Sequence, residues 1–535
     1  MLLIVVLIAI FQNGAAKDEY YHSIAKMKEL LEIEHAFAEK LEKYVEVEEA
    51  RLNKLEDFIG ELEGFLGNLP TYLEREIFAS NPVNVYKLFK RFLYDWPNIL
   101  QLHGKDNSKS LTAMKSLKNP LLWNEDFLPE LSELGGTIYA LLKLQFLYKV
   151  SPAEFSDGFG NAPKLELDDL FTIGAWAESK WDLAQSNMWF ELFIERFPKG
   201  NDSLVVGTLS DGTEITKMRA LNFISWTAFQ IGDLENAVKY ARQALEIVPN
   251  DENMTINYDW YSYQLELAQE DPSVRRKFAR PRDASSPFLE KTDSMCRGEE
   301  DMPQSVKNRL FCHYSVPHPR FTLSPLKIEV LYDGDPYLVA YRQFVTEKEI
   351  QTMVSKATPS LARAQAYNVD TGRLENVDYR IAANAWLRES VATRLKRRVG
   401  DAVNLNMESS EALQLGNYGV GGNYDPHCDH VKQFLPNSFG FYAPLGNRIS
   451  TALMYLTEVE RGGHTVFVNT VNGLSIKPEK GTFIFWNNLY RNGTGNDRTE
   501  HAACPVLLGE KWVANLWIHE RGQEFNRPCS LIREE

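Results

Sequence analysis

Positive charge is in short supply: 58 Lys and Arg stand against 73 Asp and Glu, leaving a net charge of −15 at pH 7. Nucleic-acid binding needs a basic footprint, so this balance argues against that class. An acidic chain is suited to solubility and to attracting basic peptides, but the charge selects no partner. Long apolar runs are missing as well, and after the amino terminus no segment is long and apolar enough to span a bilayer. The opening Met1-Leu-Leu-Ile-Val-Val-Leu-Ile-Ala-Ile-Phe11 is itself too short to cross, and no lysine or arginine precedes it. Followed by Gly14, Ala15 and Ala16, it reads as a removed secretory signal over residues 1–16, with Lys17 near the mature start. What is plentiful is apolar residues, 44% of 535, enough for several globular cores.

The chemistry is concentrated in Asn417-Tyr-Gly-Val-Gly-Gly-Asn-Tyr-Asp-Pro-His-Cys-Asp-His430. In an extended strand alternate side chains share a face, so His427 and Asp429 converge while Cys428 and His430 turn away. An imidazole from His501, far downstream, completes two histidines and a carboxylate, a set that suits ferrous iron and leaves coordination positions open. His-x-Asp alone is a weak signal in a chain with ten histidines. Gly419, Gly421, Gly422 and Pro426 strengthen it, because they fix a turn where the backbone passes close to something. Lys511, opening the strand-like run Trp512-Val-Ala-Asn-Leu-Trp-Ile518, points a cation at an apolar interior, which is costly unless it meets an anion; a dicarboxylate is the natural partner. Cys428 reads as a small buried residue rather than a ligand.

Gln414 to Asp429, Asn447-Arg-Ile-Ser-Thr451, Gly462-Gly463, and His501-Ala-Ala-Cys-Pro-Val through His519-Glu-Arg-Gly-Gln-Glu-Phe525 strongly resemble the catalytic α subunits of collagen prolyl 4-hydroxylases, and the resemblance covers nearly the whole chain. It implies that His427, Asp429 and His501 hold Fe(II), that Lys511 and Tyr418 hold the distal carboxylate of 2-oxoglutarate, and that His519 helps at its reactive end as a catalytic residue. It also implies disulfides from Cys296 to Cys312 and from Cys504 to Cys529. L-ascorbate rescuing oxidised iron, protein disulfide isomerase as β subunit, and an α2β2 assembly belong to the same implication. Departures from the family pattern are Cys428, His430, His464 and Ala382.

Taken in order, residues 17–150 read as a helical assembly domain. Ile24, Leu31, Ala38, Val45, Leu52, Ile59 and Leu66 repeat every seven residues, with Met27, Leu41, Leu55 and Leu62 interleaved. Such a seam calls for a partner helix, and the family pattern favours self-association of two α subunits as a coiled coil. Asn81-Pro82 signals a helix start, with the helix expected to stop near Pro97, and another helix is expected over Thr137–Leu147. Residues 151–270 read as tetratricopeptide-like hairpins interrupted by a polar insertion from Gly200 to Lys217. The resemblance makes this the peptide-substrate-binding domain. Of its aromatics Trp176, Trp181, Phe223, Trp226, Trp260 and Tyr263, about half are assigned to packing; Trp176, Trp226, Trp260 and Tyr263 are the candidates for gripping proline-rich or collagen-like peptides.

Residues 271–320 are expected to be a linker tied by a disulfide, and 321–535 the dioxygenase domain. Thr346-Glu-Lys-Glu349 is a capping box. Strands are expected over Leu413–Val420, Ile449–Leu456, His464–Val468, Gly481–Trp486 and Trp512–Ile518. The expected fold is multidomain α + β: helical coiled-coil and tetratricopeptide-like regions, then a double-stranded β-helix or jelly roll. Asn201, Asn253 and Asn492 open glycosylation motifs. The functional expectation is a procollagen-proline 4-dioxygenase in the lumen of the endoplasmic reticulum, held there by its β partner, since Glu534-Glu535 carries no retention tetrapeptide. Its rivals are a catalytically silent peptide-binding or assembly subunit and an oxygenase acting on another secreted peptide.

Overall fold

The computed structural model describes residues 49–65, 67–69, 71–101, 131–209, 212–274, 287–300, 302–368, 373–377, 379–388, 390–432, 444–470 and 473–532, together with 35, 42 and 45. The expected signal segment and the heptad positions Ile24, Met27, Leu31, Ala38, Leu41 and Leu66 lie outside the described residues. The chain divides into two compact units, Met1–Glu74 with Trp96–Leu122, and Arg75–Asp95 with Trp123–Glu535. In the first unit residues 49–65 form a helix, and the heptad members Val45, Leu52 and Ile59 are exposed.

The second unit opens on helices. α1 (Tyr72–Ala79) leads to Asn81, whose side chain accepts from Val83 N and caps α2 (Pro82–Lys90). The expected stop near Pro97 is not observed: Arg91–Asp95 forms a π-helical turn, and α3 (Trp96–Gln101), which is assigned to the first unit, carries Pro97 in its first turn, where no amide proton is needed. α4 (Leu131–Tyr148) follows, longer at both ends than the expected Thr137–Leu147. Five helices then form the hairpin array: α5 (Leu167–Ser179), α6 (Leu183–Arg196), α7 (Lys217–Ile231), α8 (Leu234–Ile247) and α9 (Glu252–Glu270). Asp182, Asp233 and Asp251 cap α6, α8 and α9, and Gly232, at φ 85°, closes α7. Small residues sit where helices meet: a Cβ on Gly174 would lie 3.2 Å from the Phe190 ring. The polar insertion is a hairpin, β1 (Val205–Thr208) with β2 (Glu214–Thr216).

Within the stretch expected to be a linker, the described residues include helices and a strand. α10 (Pro287–Arg297) packs toward the sheets, and β3 (Cys312–Ser315) already pairs with β4 (Leu326–Tyr332), so the sheet starts upstream of Phe321. The two larger sheets and the helices beside them are completed by β5 (Leu338–Arg342), α11 (Glu347–Ala357), β6 (Ala362–Arg363), β7 (Arg380–Ile381), β8 (Ala383–Leu387), α12 (Ser390–Val403), β9 (Leu413–Tyr418), β10 (Asn423–His427), β11 (Arg448–Tyr455), β12 (Thr465–Phe467), β13 (Leu474–Ile476), β14 (Phe483–Asn487), β15 (His501–Ala503) and β16 (Lys511–His519). The predicted capping box is present, with Thr346 and Glu349 bonding each other's backbone amides. Among the described residues a nine-stranded sheet runs β3-β4-β5-β14-β11-β16-β9-β8-β6, and a five-stranded sheet runs β13-β12-β15-β10-β7. β16 shows why they stack. Trp512, Ala514, Leu516 and Ile518 enter one apolar core, while Val513 enters another with Tyr418, Phe467 and Trp486. A strand buried on both faces must lie inside the molecule.

The cysteines pair differently from expectation. Cys296 on α10 is bonded to Cys504, just beyond β15, within a small buried cluster with Leu147, Val466 and Val468. Cys312 and Cys529 are exposed free thiols, so the bridges implied by the resemblance, Cys296 to Cys312 and Cys504 to Cys529, are both absent. The physical reason is that β3 carries Cys312 onto the edge of the large sheet, opposite Glu329, while α10 lays Cys296 against the end of the small one.

Candidate metal and co-substrate site

β10 and β15 are antiparallel neighbours, and their register sets His427 directly opposite His501. The ring centroids are 4.5 Å apart. Asp429, two residues beyond His427 on the same face, places Oδ1 3.8 Å from His427 Nε2 and Oδ2 3.8 Å from His501 Nε2. The expected convergence of the two side chains is present, although the strand itself ends at His427. A register shift between Tyr424 and His427, at Pro426, turns the end of β10 and stacks Tyr424 on His427 at 3.6 Å.

Hydrogen bonding fixes the tautomers. His427 Nδ1 lies 2.8 Å from the Asp425 carbonyl and His501 Nδ1 2.9 Å from the Thr499 carbonyl. A carbonyl oxygen can only accept, so both Nδ1 atoms carry the proton and both Nε2 lone pairs face Asp429. Burial, with His501 close by, lowers the His427 imidazole to about 3, so at neutral pH it is a ready ligand. Burial would raise the Asp429 carboxyl, but His501, His427 and Arg448 outweigh it and hold it at about 2. Thr451 Oγ1 donates to Asp429 Oδ2 at 2.7 Å and itself accepts from Asn488 Nδ2 at 2.9 Å. Two imidazoles presenting Nε2 and an oriented carboxylate fit a divalent iron with open positions.

The cavity beside this triad is lined from both sheets, by Tyr418, Leu453, Lys511, Val513, Asn515 and Trp517 on one side and Tyr424, Thr465, His501 and Ala503 on the other. Tyr418 and Lys511 are opposite each other in the β9–β16 register, with Lys511 Nζ 5.4 Å from the Tyr418 ring centroid. Lys511 is 1% exposed, and its Nζ has no hydrogen-bond partner among the described residues. Burial alone lowers its pKa to about 7. An unpaired ammonium facing a metal triad across a cavity is a receptor for an anion.

His519 does not join them. It is fully buried, its Nδ1 donates to the Gly446 carbonyl at 2.7 Å, and its Nε2 lies 3.1 Å from Glu411 Oε1. Both ring nitrogens are engaged and the residue is not part of the cavity lining, so a direct role at the reactive end is unsupported; Trp517, two residues earlier, lines the cavity instead. Sequence reasoning missed Trp517, Asn515, Thr451 and Arg380. The last lines the cavity with its guanidinium 4.7 Å from the Tyr424 ring. Asn515 and Trp517 were legible from Lys511 by strand alternation; Thr451, Asn488 and Arg380 reach the site through tertiary packing and left no local signal.

The glycine turn was read as a close approach, and it is one. A Cβ on Gly421, at φ 69°, would sit 2.7 Å from Ala140 Cβ on α4. Next to it, Lys143 Nζ donates to Asn423 Oδ1 at 2.8 Å, and Tyr148 donates to the Pro505 carbonyl at 2.5 Å. The helical part thus braces both metal-bearing strands.

In the hairpin array the aromatic candidates divide. Phe223 stacks on Phe190 and meets Phe171 edge-on, and half-buried Trp176 packs on the same core. Trp260 and Tyr263 are about half exposed, 6.0 Å apart, and Trp226 meets exposed Trp181 at 6.0 Å.

Residues 23–162 match the N-terminal region of the prolyl 4-hydroxylase α-subunit, residues 167–267 the prolyl 4-hydroxylase peptide-substrate-binding domain, and residues 413–519 the 2OG-Fe(II) oxygenase superfamily. The chain is 34% identical to prolyl 4-hydroxylase subunit alpha-2 of Caenorhabditis elegans over 85% of this chain and 84% of that one. It is 32% identical to prolyl 4-hydroxylase subunit alpha-1 of Homo sapiens over 98% of each.

Proposed function

We propose, since the chain belongs to the family of prolyl 4-hydroxylase α subunits, that it hydroxylates prolyl residues of collagen-like peptides at carbon 4. It is an Fe(II)- and 2-oxoglutarate-dependent dioxygenase that consumes dioxygen and releases succinate and CO₂. The observation that carries this reading is the unpaired, buried Lys511 ammonium in the same cavity as His427, Asp429 and His501. A metal triad alone serves many reactions; a cation waiting for a carboxylate beside it selects a co-substrate with a distal acid group.

Iron, when bound with 2-oxoglutarate, supplies the oxidising chemistry that activates dioxygen. The chain's own residues do the rest. His427 and His501 present Nε2, Asp429 presents a carboxylate oriented by Thr451, and Lys511 with Tyr418 fixes the far end of the co-substrate. Val513, Leu453 and Trp517 keep the cavity apolar, so bulk water does not compete for the open positions. Exposed Trp260 and Tyr263, with Trp226, grip the extended peptide by ring packing, because polyproline II chains lose little entropy on docking.

The finer points of this reading are also ours: the paired sheets as a jelly roll, a signal segment at 1–16, domains at 17–150, 151–270 and 321–535, the endoplasmic reticulum lumen, ascorbate, protein disulfide isomerase and an α2β2 assembly. The exposed stripe Val45, Leu52 and Ile59 supports the last, since an apolar seam on a helix asks for a partner.

The test is the chain co-expressed with protein disulfide isomerase and supplied with Pro-Pro-Gly repeat peptides. Peptide hydroxylation and peptide-dependent succinate release are expected together. His427→Ala, Asp429→Ala and His501→Ala should each abolish both while the fold survives; retained turnover in any of them removes the triad assignment.

A further inference from the structure

The alternation that brings His427 and Asp429 to the iron face sends Cys428 and His430 to the other. There they do not simply pack. The 3₁₀ turn Asp497–Thr499, capped by the Asn496 side chain, delivers Asp497 to the same place. Asn496 is held in turn by Nδ2 donating to Asp335 at 2.6 Å. One ligand atom from each of Cys428, His430 and Asp497 lies within 4.8 Å of the others. His430 is 5% exposed, with Nε2 3.4 Å from Asp497 Oδ1 and Nδ1 without a hydrogen-bond partner among the described residues. The ring's place is built for it: a Cβ on Gly495 would lie 2.3 Å from His430 Nε2, so only glycine leaves that room.

We propose that Cys428, His430 and Asp497 form a second metal site, separate from the iron triad, that takes a zinc-class ion. Thiolate, imidazole and carboxylate together are the donors of zinc-type centres, and three protein ligands leave a fourth position for water. Sulfur sets the two sites apart, since the iron triad offers only nitrogen and oxygen. Coordination replaces the S–H bond by a metal–sulfur bond and releases that proton to solvent. Lys432, 3.3 Å from Asp497 and 58% exposed at its side chain, is free to swing away when a cation enters. This site does not depend on the oxygenase reading.

The test is an anaerobic cobalt(II) titration of the metal-free full-length chain. Two equivalents are expected, with a near-ultraviolet thiolate-to-cobalt charge-transfer band. Cys428→Ser and His430→Ala should each lose the band and one equivalent; His427→Ala should lose one equivalent and keep the band. A single equivalent without the band, or a band that survives Cys428→Ser, overturns the proposal. The wild type gives a second readout. Zinc should protect Cys428 from iodoacetamide in the native protein while exposed Cys312 and Cys529 label normally, and equal labelling of Cys428 with and without zinc sinks the site.

Discussion

A lysine held wholly inside a protein with no acceptor for its ammonium is a cost that only a ligand can offset. Burial lowers Lys511 to about 7 from an ordinary 10.5. The native chain therefore binds fewer protons than the unfolded chain between those values. Stability rises with pH across that window, and below about 7 the full penalty of the buried charge is present. A bound dicarboxylate reverses this by holding the ammonium charged. At pH 8, 2-oxoglutarate binding should accordingly take up close to one proton per site, read as the dependence of calorimetric heat on buffer ionisation enthalpy. Lys511→Met should abolish the uptake and weaken 2-oxoglutarate by about ten- to a hundred-fold, the worth of a charge-assisted bond. If the uptake persists in Lys511→Met, the proton belongs elsewhere.

At the scale of elements, what the sequence made legible was whatever a strand or helix period fixes by itself. His427 with Asp429 and five core strands came from alternation, Tyr418 only from the family resemblance; the caps at Asn81 and Thr346 came from hydrogen-bonding chemistry. His519 was misplaced for the opposite reason, since its surroundings are set by Glu411 and Gly446, contributed by distant segments. Gly421 lies between these cases: its turn was readable, its neighbour was not. Gly421→Ala would force a Cβ into the left-handed region and against α4, and should cost about 1–3 kcal/mol. Ala140→Gly in the same chain should return the part due to the clash but not the part due to φ. Thermal melts of Gly421→Ala, Ala140→Gly and the double variant separate the two. No coupling between the sites would mean that α4 does not press on the turn.

Across the whole molecule the cysteines show where the family resemblance misleads. Cys296 and Cys312 are close along the chain, as are Cys504 and Cys529, yet two thiols pair according to where the fold delivers them, not by the residues between them. Here the bond joins positions separated by 208 residues and ties α10 to the end of the strand that carries His501. Closing so long a loop removes much of the unfolded chain's freedom, worth about 2–5 kcal/mol. Non-reducing peptide mapping should recover Cys296 linked to Cys504, with Cys312, Cys428 and Cys529 alkylatable after unfolding. The variant Cys296→Ser/Cys504→Ser should unfold at lower denaturant than the wild type, whereas Cys312→Ser and Cys529→Ser should leave the midpoint where it was, both thiols being exposed and unpaired. A Cys296 to Cys312 peptide in the map, or a lowered midpoint in Cys529→Ser, would restore the pairing that the resemblance implies and detach α10 from the metal-bearing strand.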